Sequence, residues 1–304
     1  MNCGNIRLPR TNKQGIEAMN DIQLTHFYPW KPIPDLAAPL LLQEFADNGA
    51  KNLVLIEAWV ERLLNEPGFC SKLKGWIGAC GMNISECHGL WGAGYDLNIT
   101  ELPRRKGMIE DHKLAMEYAA FFGCKTYTVH TGPWHEGMEK PIFEALEQLV
   151  PAAEKTGIIL AVENGFNPGN SPDALLRYLK AFPSQYFGCC LDLGHANGMY
   201  DRPGKKKDLY SAYLKNIWKN DIKLEPDPIG KLSDYLVTAH VHDNDGYTDS
   251  HMLPGMGTLP SEKWIPALKN CPRLVSLQDE TSALTYRLSI RKLCETFDEL
   301  MKLQ

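Results

Sequence analysis

The chain has no CxxC pair, no apolar run approaching the roughly 18 residues of a membrane span, and no surplus of basic residues. Lysine and arginine number 32 against 37 aspartates and glutamates, for a formal net charge of −5. That balance supplies no global field to draw the chain onto nucleic acid or an anionic membrane, so neither is expected as a partner. The nine cysteines are odd in number and scattered. Cys124, Cys189 and Cys190 fall in apolar, strand-like runs and read as reduced core residues of a cytoplasmic protein, not as a disulfide frame. Residues 1–20 form an N-terminal extension in which Arg7, Arg10 and Lys13 have no apolar run behind them, so no secretory signal is expected. Also missing is a glycine-rich turn after the first strand-like run, where the chain reads Tyr28-Pro-Trp-Lys-Pro. A doubly wound open sheet usually carries such a turn, which sets that fold aside.

What is present is a regular alternation. Short β-rich runs start at Ile22–Phe27, Leu53–Ala58, Asn83–His88, Thr126–His130, Ile158–Glu163, Phe187–Leu191, Val237–His242 and Leu274–Leu277. Helical patterns lie between them, at Leu36–Asn48, Arg105–Phe122, Phe143–Lys155, Pro172–Ala181 and Arg287–Leu303. Gly49, Gly81, Gly123 and Gly157 stand where a left-handed cap would close a helix before the next strand. Eight strand–helix units in a row predict one parallel (β/α)8 barrel over residues 1–304. Residues 198–236 read as an elaborated loop on the catalytic face with helices of its own, and Lys205–Lys207 within it as solvated surface.

Acids and histidines fall where such a barrel keeps its chemistry. Six of the strand runs finish on one: His88, His130, Glu163, Asp192, His242 and Glu280. Barrel interiors are apolar, so a charged group at a strand end needs a partner or a task. The C-terminal mouth is where this fold places its active site. His195 lies three residues after Asp192, and Asp249 and His251 follow in the loop after His242. Oxygen and imidazole donors without cysteine suit Mn²⁺, Mg²⁺, Co²⁺ or Zn²⁺, with Mn²⁺ first among them here. A cation is the simpler account, because no Arg or Lys stands at these strand ends to neutralise the acids.

These motifs, in this order, resemble the xylose-isomerase-like TIM barrel superfamily, which includes sugar phosphate isomerases and epimerases and is related to endonuclease IV. The resemblance runs from about Leu36 to Leu300 and includes His130-Thr-Gly, Glu163-Asn-Gly, Asp192-Leu-Gly-His195, His242-Asp-Asn-Asp245 and Pro254-Gly-Met-Gly257. In the isomerases and epimerases it resembles, one divalent metal is held by Glu, Asp, His and Glu, and the matching positions are Glu163, Asp192, His242 and Glu280. Endonuclease IV adds five ligands for two more zinc ions, matched by His88, His130, His195, Asp249 and His251. In a one-metal enzyme the same five would line the substrate pocket.

The resemblance implies a divalent-metal-dependent isomerase or epimerase acting on a sugar, sugar phosphate, inosose or related keto-sugar. Its chemistry would be proton transfer through a metal-stabilised enediolate, with Glu163 and Glu280 as base and acid and His195 holding a substrate oxygen. Trp91, Trp134 and His135 are expected to contact the substrate, and Tyr28, Trp30, His26 and Glu57 to line its pocket. His240 shares the inward face of His242 one layer deeper, and His112 is expected at a helix surface. Ketose 3-epimerases carry a Glu and an Arg where this chain has Gly169 and Thr248, which argues against a free-ketose 3-epimerase. Two alternatives remain: an abasic-site phosphodiesterase with a multinuclear zinc site, and a metal-dependent lyase or deglycosidase subunit acting on a keto-glycoside. The loops after the second and third strands hold little basic charge, which favours a small carbohydrate over nucleic acid. The resemblance also admits a homo-oligomer or a small second subunit.

Overall fold

A computed structural model describes residues 22–304; the expected N-terminal extension lies outside the described residues. The chain begins with β1 (Gln23–His26), α1 (Ala38–Asp47), β2 (Asn52–Leu55), α2 (Glu57–Asn65), α3 (Phe69–Ala79) and β3 (Asn83–His88). It continues through α4 (Leu102–Phe122), β4 (Thr126–Val129), α5 (Glu139–Thr156), β5 (Ile159–Glu163), α6 (Pro172–Ala181) and β6 (Phe187–Asp192). The short helices α7 (Leu193–Gly198), α8 (Ala212–Ile217) and α9 (Pro228–Leu232) precede β7 (Leu236–Val241), α10 (Ser261–Lys269), β8 (Ser276–Asp279) and α11 (Ile290–Leu300). The eight strands run parallel in sequence order and close on themselves, with His26 of β1 level with Asp279 of β8. The expected (β/α)8 barrel is the observed one. No helix of the described residues is long and apolar enough to cross a membrane.

The four glycines expected to end helices all hold positive φ, and Gly123 and Gly157 cap α4 and α5 at 94° and 76°. The second strand is shorter than its apolar run suggests. β2 stops at Leu55, and Glu57-Ala-Trp-Val-Glu-Arg-Leu-Leu is already helix α2, burying Ala58, Trp59, Val60 and Leu63. Good helix formers with a one-sided apolar face outweigh the β-branched run before them. Glu57 is thereby fixed as the first residue of a helix at the barrel mouth.

Four expectations change with the packing. His112 is not at the surface. It lies on the buried stripe of α4 with Met108, Ala115, Met116 and Ala119. Its Nε2–H donates to the Tyr95 carbonyl and its Nδ1 accepts from the Tyr127 hydroxyl, both at 2.8 Å. Burial lowers its pKa to about 4 and keeps it neutral. His26 faces outward rather than into the pocket: Nδ1 lies 3.1 Å from Asp279 Oδ2, and the ring packs on Phe45 and Phe297 of the outer helices. Tyr28 and Trp30 are buried packing residues, Trp30 stacking on Trp59 with centroids 4.7 Å apart. Lys205 and Lys207 are not free solvated charges. Lys205 Nζ donates to the carbonyls of Gly246 and Asn197 and sits over the Tyr210 and Tyr247 rings, and Lys207 Nζ donates to the Ile222 carbonyl at 2.6 Å. They tie down the long segment after β6, whose Trp218 also donates to the Phe166 carbonyl at 2.8 Å.

Candidate metal centre and substrate pocket

His88, Glu163 and Asp192 end β3, β5 and β6, while His130, His242 and Glu280 come one residue past β4, β7 and β8. Strand geometry therefore delivers them to one end of the barrel. His88, His130, Glu163 and Glu280 line a pocket of about 360 Å³ that also takes in Glu57, Trp91, His195, Asp249 and His251. Asp192 and His242 are fully buried, with His242 Nε2 at 3.1 and 3.0 Å from the two Asp192 oxygens. Asp192 also accepts the His195 backbone N–H at 2.6 Å and so caps α7.

The histidines are held in a common way. His195 Nδ1–H donates to the Asn164 carbonyl and His251 Nδ1–H to the Glu280 carbonyl, both at 2.9 Å. This leaves each Nε2 toward Asp249, at 3.3 and 3.2 Å. His88 follows with a longer contact, Nδ1 at 3.4 Å from the Gly89 carbonyl and Nε2 at 3.5 Å from Glu280 Oε1. A backbone carbonyl on the far nitrogen fixes the ring's orientation and turns the other nitrogen toward the pocket, as around metal-binding histidines.

Donor atoms also face one another without bonding. His130 Nε2 and Glu163 Oε2 are 2.9 Å apart, and His240 Nδ1 is 3.4 Å from Glu163 Oε2 and 3.2 Å from Glu280 Oε2. Each of these atoms is buried without a hydrogen bond of good geometry. Side chains aimed at a shared point, not at each other, give this pattern, and it fits a cation among them. Glu163, Asp192, His240 and Glu280 each offer one donor atom within 4.8 Å of the rest, as do His88 with His130 and Glu163, and His242 with His251 and Glu280.

His240 is thus nearer the centre than its deeper layer suggested, while His242 is bonded to Asp192 and stacked on His251 at 3.8 Å. Behind His240, at 4.0 Å from its Nε2, is Glu86 Oε1. Glu86 is fully buried and accepts from Thr238 Oγ1 at 2.5 Å, and burial pushes its pKa up. Sequence reading passed over Glu86, although a lone acid in the middle of a strand run was the available signal.

Charge is shared out among these groups. Burial opposes ionisation of Glu163 and Glu280, but the imidazoles around them, His240 above all for Glu280, bring both below the usual carboxylate range. Burial likewise works against charged His130, His195 and His251, yet the carboxylates beside them win, and His251 rises to about 9. His88 goes the other way, to about 4, through burial and the neighbouring His130.

Of the expected substrate contacts, Trp91 is at the pocket mouth, 49% exposed, with its ring 5.9 Å from that of His130. Trp134 and His135 line a different cleft of about 680 Å³ with Asn216, Ile217 and Lys219. A Cβ at Gly169 would meet Trp134 Cε3 at 2.0 Å. No side chain fits there while the indole stays in place.

A family model described as the xylose isomerase-like TIM barrel matches residues 45–280. The uncharacterised protein MJ1311 of Methanocaldococcus jannaschii is 29% identical over 177 residues, 54% of each chain, so the chain spans about half the length of that curated relative. Among solved structures, D-psicose 3-epimerase from Clostridium cellulolyticum H10 superimposes with a TM-score of 0.67 at 12% identity, over 93% of this chain and 99% of that one. The 3-keto-D-glucoside 4-epimerase YcjR from E. coli gives 0.64 at 16% identity, over 92% and 98%. At these identities the likeness is one of fold.

Proposed function

The chain belongs to the xylose isomerase-like TIM barrel family, and from that premise we propose that it is a divalent-metal-dependent isomerase or epimerase of a carbohydrate, a keto-sugar or inosose. The observation that carries the reading is the convergence of Glu163 and Glu280, whose Oε2 atoms both lie within 3.4 Å of His240 Nδ1, on the wall of a pocket of small-molecule size. That two proteins of the same fold are sugar epimerases supports it.

Glu163, Asp192, His242 and Glu280 would hold the ion, with His240 Nδ1 at 3.4 and 3.2 Å from the two glutamates. A bound divalent ion supplies Lewis-acid polarisation of a carbonyl and its neighbouring hydroxyl. Glu163 and Glu280 then serve as the proton carriers, one taking the proton α to the carbonyl and the other returning it to the planar carbon. His195, its Nδ1 tied to Asn164, presents Nε2 to a substrate oxygen. Trp91 covers the mouth and packs on the sugar's C–H face.

In heavy water with Mn²⁺ present, the protein should place deuterium at the α-carbon of at least one keto-sugar or inosose. The exchange should vanish in Glu163→Gln and Glu280→Gln. No exchange on any sugar, together with incision of an abasic-site duplex, would contradict the proposal.

One observation favours a second reading. The overlapping donor groups around His88, His130 and His251 could hold further ions, as a multinuclear phosphodiesterase requires. A count of bound metal separates the two.

A further inference from the structure

The pocket lining carries a residue with no role so far. Glu57, the first residue of α2, lines the pocket together with Trp91. Among the described residues it forms no ion pair, and Lys31, which attracts it, is exposed. Burial accordingly raises its pKa.

The rest of the lining has a matching bias. Glu57, Glu163, Asp249 and Glu280 face His88, His130, His195 and His251, and among the described residues no lysine or arginine lines the pocket. Phosphate recognition relies on such cations or on a run of backbone N–H groups. The loop cation best placed to serve, Lys205, is committed to the Gly246 and Asn197 carbonyls.

Resting on the carbohydrate reading above, we propose that the pocket is built for an uncharged carbohydrate, and that Glu57 with Trp91 forms the wall that recognises its hydroxyls. A carboxylate accepts hydrogen bonds from vicinal hydroxyls, while the indole covers the C–H face; a phosphate ester at this wall meets the like charge of Glu57.

The test is calorimetric titration of the Mn²⁺-loaded full chain with D-fructose and an inosose, and with D-fructose 1-phosphate and 6-phosphate. At least one uncharged probe should bind about 10-fold tighter than either ester, and Glu57→Gln should weaken it by about 10-fold with metal content unchanged, the loss expected for one hydrogen bond to a charged group. Glu57→Arg should reverse the preference. Tighter binding of the esters, no binding of either uncharged probe, or unchanged affinity in folded, metal-loaded Glu57→Gln would overturn the proposal. Deuterium exchange on the same samples keeps the two questions apart. Uncharged sugar bound without exchange leaves the recognition wall standing and contradicts proton transfer, and exchange on the esters alone does the reverse.

Discussion

His112 and the histidines of the mouth are buried in the same barrel, yet their surroundings differ in kind. His112 has both ring nitrogens satisfied, one by a carbonyl and one by a tyrosine hydroxyl, and faces no carboxylate. At the mouth, His130, His240 and Glu163 leave buried polar atoms unmatched although oppositely charged groups stand 2.9–3.4 Å away. A completed network rigidifies a fold, whereas an incomplete one of this density is stable only if something else completes it. Burial alone therefore does not separate structural from functional histidines; what each nitrogen points at does.

Substitutions on the two sides should divide the same way. The largest effect is expected at the mouth: His242→Gln should lower the exchange rate by about 1,000-fold or more, the several kcal/mol that a correctly held metal provides, while circular dichroism stays native. A variant of full activity would erase the distinction. His112→Leu should act on stability instead, costing about 2–3 kcal/mol by stranding the Tyr95 carbonyl and Tyr127 hydroxyl, with metal content unaltered. It should also change the pH response. Unfolded His112 takes up a proton near 6.5 and the folded residue only near 4. Between those values the unfolded state binds more protons, so wild-type stability falls as pH drops, by roughly 3 kcal/mol over the window. Denaturant titrations of the Leu variant should show a shallower slope there, and an unchanged slope would remove His112 as its source.

His88→Ala should have an intermediate effect, a loss of about 10- to 100-fold in turnover at constant metal stoichiometry, as for a group that orients the site without holding its ion. Loss of one bound ion would place His88 among the ligands. The smallest effect belongs to the surface. Arg62 pairs with Asp35 and Glu66 at 2.8 Å and lies over Phe69, partly exposed, so Arg62→Ala should cost about 1 kcal/mol or less and diminish with salt.

The barrel was legible because strand runs, caps and strand-end acids repeat locally, and a parallel sheet follows from their order. The convergence of the strand-end acids and histidines was legible for the same reason: strand ends of a closed barrel meet whatever the loops do. What escaped depends on partners far along the chain. In a strand buried on both faces, alternation cannot say which face is inside, and the chain at the end of β1 turns Phe27 into the pocket and His26 out to Phe45 and Phe297. The polar residues scattered through α4 hide its buried stripe, and His112 finds Tyr127 on a strand 15 residues later. Lys205 looked like solvated charge because its acceptor, Gly246, is in another loop. Trp134 and His135 follow a strand-end histidine, but the loop after β4 carries them to a separate cleft.

The central claim is that the unmatched donors at the mouth are completed by one divalent ion. Elemental mass spectrometry of the purified chain and of Asp192→Asn, reconstituted side by side, tests it directly. The account predicts one ion per wild-type chain and essentially none in the variant, with both folded. Three zinc ions per wild-type chain, or full metal content in Asp192→Asn, would contradict it.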